Sequence, residues 1–510
     1  MLCLPIVLQN VIALSVNLTD NLMLGRYAES ALSGVTAVNQ IQFIYQNLLM
    51  GIGDGMVILA AQYWGKKDTA SIRKVAGVAM QTALVLMALL FLIVSFFPAQ
   101  VVGLFTEDPA IIAEGVRYLN IVRFTYPFFC ITTILLAVLR STEVVKIAFF
   151  LSLSTLCINF SINWVLIYGH FGMPRLGAAG AAIGTLTARI IECVVLLLYI
   201  KKKEVNLHLK LKDFLHADRT IAGDYFRVSA PIILLQSLWG VNTALQTAIL
   251  GHLTSSAIAA NSMASNLFLI VKTVAVGSAS TANVMIGKAI GEGEMKTVKD
   301  YAKTFQVVFL CMGICCGILL FALTEPVLSL YSFSDESRQL ARSFLHILCI
   351  VMVGMSYQMP VNAGIIKGGG DTKYVMKLDL ISIWCIVIPL SFIMAFVVKA
   401  SPIVVVWCLN LDQLFKCVPA FIKVNYGHWV KKLTRKAMST FVFSPYPIQI
   451  SSKGATATIG MELIKIKTGI SRSCIRLDQT ISTERAMLPT TTMPKLITYS
   501  FSVMRILICQ

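Results

Sequence analysis

Charge is scarce in this sequence. Asp, Glu, Lys and Arg make up 13% of its residues while 57% are hydrophobic, and that charge content is about half of what a soluble domain carries. A water-soluble chain of 510 residues would divide into several cores joined by polar linkers. Apolar runs instead recur along most of its length. Acidic residues are scarcer than basic ones, 25 against 43, giving a net charge of +18. Nucleic acid would explain that imbalance only through a soluble basic patch interleaved with aromatics, and no segment has that pattern, so no nucleic-acid partner is expected. The thirteen cysteines lack CxxC spacing, and the nearest pair, Cys315 and Cys316, is adjacent. Neither a zinc site nor a disulfide framework follows, and they read as apolar helix filler. A GxxxxGK[ST] phosphate loop is missing, which argues against direct ATP drive, and HExxH is missing among the six histidines. The Gly368 to Asp371 turn follows no strand and is no phosphate cradle. No catalytic residue, cofactor or resident metal is expected, and the chain does not read as an enzyme.

What is present is a series of apolar runs about 20 residues long, the length that crosses a bilayer as a helix. They predict helices over 2–24, 36–64, 75–97, 115–139, 147–169 and 177–200, then 228–250, 262–287, 304–325, 343–366, 374–398 and 402–424. The first run has no basic n-region, is too long for a signal peptide and ends in Asp20 rather than a cleavage site. Lys and Arg crowd alternate connections, 24 in one set against 5 in the other, and the positive-inside rule puts the richer set and both ends of the bundle in the cytoplasm. Pro5, Gly25, Ala31, Gly51 and Gly65 recur 226 residues later as Pro231, Gly251, Ala257, Gly277 and Gly291. An even number of spans separates equivalent points, so the halves share one orientation and are related by an axis along the membrane normal. The expected fold is therefore an all-α integral membrane protein of about twelve helices in two six-helix bundles. Residues 1–200 form the first, 201–227 a cytoplasmic linker, 228–435 the second, and 436–510 a Ser/Thr-rich, mostly disordered cytoplasmic tail.

Ionisable residues inside such spans are costly and mark function. Asp20 shares a polar stripe of the first helix with Asn10, Asn17 and Asn21. On the fifth, Ser152, Thr155, Asn159 and Asn163 step by three and four residues. An Asp facing two Asn makes an oxygen-rich pocket for Na⁺, or a carboxyl able to take up a proton. Asp20, Asn159 and Asn163 are the primary candidates for binding a coupling cation, with Asn17, Asp54, Gln236 and Gln246 secondary. Gln246 stands at the repeat position of Asp20, so the second half has lost the carboxylate. Arg189 and Glu192 read as partners, and Asp379 and Asp412 as paired with Lys377 and Lys416. Trp239, Met263, Phe268, Met355 and Tyr357 have the composition of an aromatic cavity for a lipophilic cation, or of plain packing.

Over residues 1 to about 435 the chain resembles the multidrug and toxic compound extrusion transporters. The resemblance rests on Pro5 with Asp20 through Gly25, on Gly51 to Asp68 ending in Ala-Gln-Tyr-Trp-Gly-Lys-Lys-Asp, and on the run from Asn159 through Asn163 to Gly177-Ala-Ala-Gly-Ala-Ala. Lys367-Gly-Gly-Gly-Asp-Thr-Lys373 and Trp429-Val-Lys-Lys-Leu-Thr434 join it. It implies two bundles in a V in a bacterial inner membrane, a monomer, and export of small organic cations by alternating access against inward Na⁺ or H⁺. It assigns coupling to Asp20 and cation binding to Asn159 and Asn163. Some members carry Asp at the position of Asn163, which leaves the coupling ion open, and the tail from Lys436 is foreign to the family's pattern. The alternative is a lipid-linked oligosaccharide flippase of the same broader superfamily, for which the intramembrane arginines, chiefly Arg123 and Arg189, are few.

Overall fold

A computed structural model describes residues 3–106, 108–203, 207, 213–214, 218–251, 255–329, 335–434, 448–452 and 455–459. The first half runs through α1 (Cys3–Tyr27), α2 (Glu29–Gly65), α3 (Thr69–Phe96), the short α4 (Pro98–Gly103), α5 (Pro109–Val122), α6 (Thr125–Ser141), α7 (Lys146–Tyr168) and α8 (Ala178–Lys203). The second half holds α9 (Arg219–Gly251), α10 (Ser255–Glu292), α11 (Met295–Ser329) and α12 (Asp335–Pro360), the last continuing through a wide π-helical turn, Val361–Ile366. It closes with α13 (Thr372–Val397) and α14 (Pro402–Tyr426). Among the described residues nine helices are long and apolar enough to cross a bilayer, and the α5–α6 pair makes a tenth span. At 25 and 33 residues, α1 and α9 open the two halves and complete the twelve.

The helices outrun the predicted spans. Twenty-eight residues of α3 reach about 42 Å at 1.5 Å per residue, beyond a hydrocarbon core of about 30 Å. Apolar patterning marks only the part in lipid, whereas backbone hydrogen bonding carries the helix into the interface. The fourth span, predicted as one helix over 115–139, is two helices bent by 55°. Pro127 lies in the first turn after the break and has no N–H to continue the ladder. The Thr125 hydroxyl instead donates to the Val122 carbonyl at 2.6 Å. Gly169, at φ 74°, stops α7 in the left-handed conformation and turns the chain toward α8.

The buried core falls into clusters, one around Tyr45, Tyr126 and Leu59 that also takes in Tyr225 and Val284 of the second half, and others in the second half around Phe344, Val351 and Leu409 and around Phe309, Ile286 and Ile365. The lipid-directed faces leave large side chains such as Val85, Phe96 and Phe321 exposed, as a solvent of hydrocarbon permits. The 226-residue repeat is written into the contacts between halves. A β-carbon on Gly65 would strike the Lys288 carbonyl, and one on Gly291 the Gln62 carbonyl. Those two pairs are each other's repeat images. In the same way Gly51 lies against Ile233 and Gly277 against Val7, while Ala61 and Gly287, themselves a repeat pair, face each other. Reciprocal contact of this kind is what a two-fold axis between α2 and α10 generates, and the small residues let the backbones approach.

The halves are tied at the end that carries the basic loops. Beyond α14, residues 427–434 lie as a strap over α2. The Gln62 amide donates to the Lys431 carbonyl at 3.0 Å and accepts from the Leu433 N–H at 2.8 Å. Lys431 and Lys423 pair with Asp371 at 2.7 and 3.0 Å, and Lys288 on α10 pairs with Glu143 at 2.7 Å. Burial alone would raise the Asp371 carboxyl, but the Lys431 and Lys423 ammoniums outweigh it and hold the group below its ordinary range. A depressed carboxylate supports the fold above its unfolded pKa and loses that support as pH falls through the folded value. The Asp371 pairs therefore hold at neutral pH and fail only in strong acid. Gln62→Ala removes two hydrogen bonds worth about 1 kcal/mol each. In a cysteine-free background, maleimide labelling of Leu433→Cys should then quicken by roughly tenfold or more, with no such change between neutral pH and about pH 5 in the parent. An unchanged rate would show that Gln62 does not hold the strap.

The linker expected over 201–227 is shortened from both sides by α8 and α9, and 204–206, 208–212 and 215–217 lie outside the described residues. In the tail, Ile448–Ser452 and Ala455–Ile459 pair as an antiparallel hairpin with Ile448 opposite Ile459. The rest of 436–510 lies outside the described residues.

Candidate coupling site

Three helices of the first half bring their polar faces together. On α7, Thr155, Asn159 and Asn163 recur every fourth residue and are buried, so all three turn the same way. On α1, Asp20 is buried at 8% exposure. The Asn163 amide donates from Nδ2 to Asp20 Oδ1 at 2.6 Å and to Asn159 Oδ1 at 3.3 Å. Asn159 in turn donates to the Thr185 hydroxyl on α8 at 3.2 Å. Helix α8 comes this close because its face is small: Gly180 lies against the Leu166 backbone and Gly184 against the Asn163 side chain. The Tyr168 hydroxyl donates to the Met23 carbonyl at 2.9 Å and fixes α7 to α1 one turn beyond.

Asp20, Asn159 and Asn163 thus form one hydrogen-bonded cluster. Among the described residues no cationic side chain pairs with Asp20. Arg189 on α8, whose charge reaches Asp20 only through space, donates to Glu192 at 2.7 Å and lies 4.7 Å from the Phe129 ring centroid. The buried Asn163 Oδ1 has no hydrogen-bond partner, so the cluster holds an oxygen ready to accept. Thr185, and Tyr118 buried beside it on α5, complete the pocket. Neither carried a sequence signal beyond a polar atom within an apolar run.

The secondary candidates lie elsewhere. Asn17 is on α1, but its side chain lies outside the described residues. Asp54 on α2 faces Arg140 of α6 at 3.8 Å, and Arg140 donates to Ser280 of α10 at 3.3 Å. Ser280 is the repeat image of Asp54, so this chain of contacts crosses between the halves. Gln236 packs beside Gly51 of α2, and Gln246 donates to Asn242 one turn away at 3.4 Å. Neither reaches the Asp20 cluster. Asp379 does not pair with Lys377: Lys416, 3% exposed, takes both Asp379 and Asp412 at 2.9 Å, because α13 and α14 place the two carboxylates around one ammonium. Of the two readings of the Trp239, Met263, Phe268, Met355 and Tyr357 set, plain packing holds for Met263, Met355 and Phe268. Met263 and Met355 are core residues, Phe268 packs on that core, and the Tyr357 hydroxyl donates to Gln306 at 2.9 Å. Trp239 does face the other half, its ring 5.4 Å from that of Phe43 on α2.

Comparison with known proteins agrees with this architecture. The MatE family model matches residues 5–165 and 231–393, one match in each half. The probable multidrug resistance protein YoeA of Bacillus subtilis is 24% identical over 410 residues, covering 79% of this chain and 87% of its own. The probable multidrug resistance protein NorM of Thermotoga maritima is 22% identical over 444 residues, covering 85% and 94%. A crystal structure of MATE in complex with MaL6 superposes with a TM-score of 0.76 at 15% identity, over 83% of this chain and 94% of that one. The outward-facing conformation of a multidrug resistance MATE family transporter of the MOP superfamily gives 0.75 at 17%, over 83% and 93%. With both halves matched at equivalent places and the whole helical bundle superposed, the chain belongs to the MatE family of multi-pass membrane transporters.

Proposed function

We propose that the protein is an antiporter that exports organic compounds against inward flow of Na⁺ or H⁺, with the coupling cation taken at Asp20. The supporting observation is the buried Asp20 carboxylate, held by Asn163, with no cationic side chain in ion-pair contact among the described residues and Arg189 reaching it only through space. A charge kept in that setting without a partner is costly and invites a mobile one. The Asn163 amide offers its NH₂ to the ionised carboxylate. Turned over, the same amide offers Oδ1, and a Na⁺ between Asp20, Asn163 and Asn159 would then meet oxygen from all three. A proton would neutralise Asp20 directly.

Neutralisation changes what the cleft attracts. Loss of the Asp20 charge weakens the hold on a positively charged substrate, so ion entry favours substrate release and the two bindings are linked through one carboxylate. On this reading the tied basic-loop end is cytoplasmic, and rocking of the halves about the α2–α10 axis exchanges access. A reporter fused after Arg435 should read cytoplasmic given the 24 to 5 distribution of loop charge. An external reading reverses the orientation. The flippase alternative is disfavoured because Arg189 is committed to Glu192 and Arg123 lies over the Phe124 ring, leaving no arginine cluster for a pyrophosphate among the described residues. The reading is tested in loaded proteoliposomes under separately imposed Na⁺ and pH gradients. One gradient should drive export of a fluorescent cation, and export indifferent to both would overturn it.

A further inference from the structure

The second half carries a groove of about 970 Å³ between α11 and α14, with α12 as its floor. None of its lining residues belongs to the Asp20 cluster or to the α2–α10 crossing. A β-carbon on Gly313 or Gly317 of α11 would meet the Val353 or Cys349 carbonyl of α12, and one on Gly354 of α12 the Gln413 carbonyl of α14. Both neighbours therefore lie close against α12, and the space between them stays open. At the basic-loop end Gln306 closes it, accepting from Asn425 of α14 at 3.0 Å and from the Tyr357 hydroxyl of α12 at 2.9 Å. Val307, Ile314 and Phe321 on one wall, Val418 and Phe421 on the other and Ile350 on the floor are exposed. In a membrane protein such side chains face hydrocarbon, where no water is at hand to fill the space, and an empty groove forfeits the dispersion contacts of its lining. From Val307 to Phe321 the wall runs about 21 Å at 1.5 Å per residue, against about 15 Å for one leaflet of a 30 Å core. An extended acyl chain fits along it.

The same face of α11 continues toward the basic loop as lysines. Lys296, Lys299 and Lys303 lead into Val307 and Leu310 by steps of three and four, so they form one column in line with the groove. All three are exposed, and among the described residues none forms an ion pair, even with Asp300 at the column's edge. We propose that the groove is a binding site for one anionic phospholipid, its acyl chain along α12 and its phosphate on Lys303 and Lys299. The leaflet follows from the orientation proposed above. Binding to the solubilised protein does not depend on it, so an external reading of the Arg435 reporter would move the site to the outer leaflet without removing it.

Native mass spectrometry of the purified, full-length protein tests this, with dioleoyl phosphatidylglycerol and dioleoyl phosphatidylcholine as probes that share acyl chains and differ in head-group charge. The wild type should retain one phosphatidylglycerol with an affinity more than about tenfold above that for phosphatidylcholine. A lysine near a head group is worth roughly fivefold. Lys303→Gln should therefore weaken phosphatidylglycerol about fivefold, and Lys299→Gln with Lys303→Gln about thirtyfold, with phosphatidylcholine unchanged. Lys303→Arg should keep the affinity. Ile350→Trp, which fills the floor, should weaken both lipids alike. Equal retention of the two lipids by the wild type, lysine variants that weaken both lipids or neither, retention untouched by Ile350→Trp, or a dimer that retains no lipid would overturn the proposal.

Discussion

Asp20→Asn is expected to reduce gradient-driven export to the level of passive leak while leaving expression and membrane insertion near normal. The substitution keeps the size of the side chain and its capacity to bond Asn163, whose amide can present either its NH₂ or its oxygen to the new partner. Nothing buried is left without a mate, so the folding penalty of a broken charge pair does not arise. What disappears is the charge. Without it, ion entry no longer alters the attraction for substrate, and the coupling free energy between the two bindings falls to zero. Binding of substrate should survive in weakened form, and its dependence on Na⁺ or pH should vanish. Export at the native rate under either gradient would move coupling away from Asp20, and Asp54, across from Arg140, would be the next carboxylate to test.

The second large effect is expected where the two halves cross. Gly65→Ala and Gly291→Ala each place a β-carbon against a backbone carbonyl of the other half, that of Lys288 or Gln62. Backbone yields less readily than a side chain, and overpacking of this kind costs about 1–3 kcal/mol. That cost falls on the closed basic-loop end, so the population with that end open should rise roughly 5–150-fold. The axis makes the two substitutions equivalent, and their effects should agree within a small factor. Gly223→Ala, where an added β-carbon meets nothing, is the control. Accessibility of the strap to a membrane-impermeant reagent from the basic-loop side reads the shift, and closure unaffected by either substitution would deny that this crossing holds the halves.

Much of this architecture was legible in the residues. Bilayer-length apolar runs gave the order of the spans, because backbone bonding in lipid leaves a helix as the only choice for such a segment. The recurring glycines forecast the two-fold, and the contacts of Gly65 with Lys288 and of Gly291 with Gln62 are its physical form. The bend before Pro127 was hidden because hydropathy ignores a single missing N–H. At the site, the four-residue steps of Asn159 and Asn163 revealed a shared face, and Asp20 was the intramembrane carboxylate able to meet it. Thr185 and Tyr118 reach that pocket from α8 and α5, and such meetings depend on helix packing that no local pattern encodes. The same limit explains Lys416. Neighbours in sequence suggested two local pairs, whereas α13 and α14 bring Asp379 and Asp412 to one ammonium.

The central claim is that substrate and coupling cation answer to one carboxylate, and ion displacement tests it without a membrane. Purified protein in a weakly buffered solution is mixed with a transported substrate, while released protons are followed by an indicator dye and released Na⁺ by a selective electrode. The account predicts release of one kind of ion by the wild type on substrate binding and none by Asp20→Asn. Equal release from both proteins, or no release from the wild type, would contradict it.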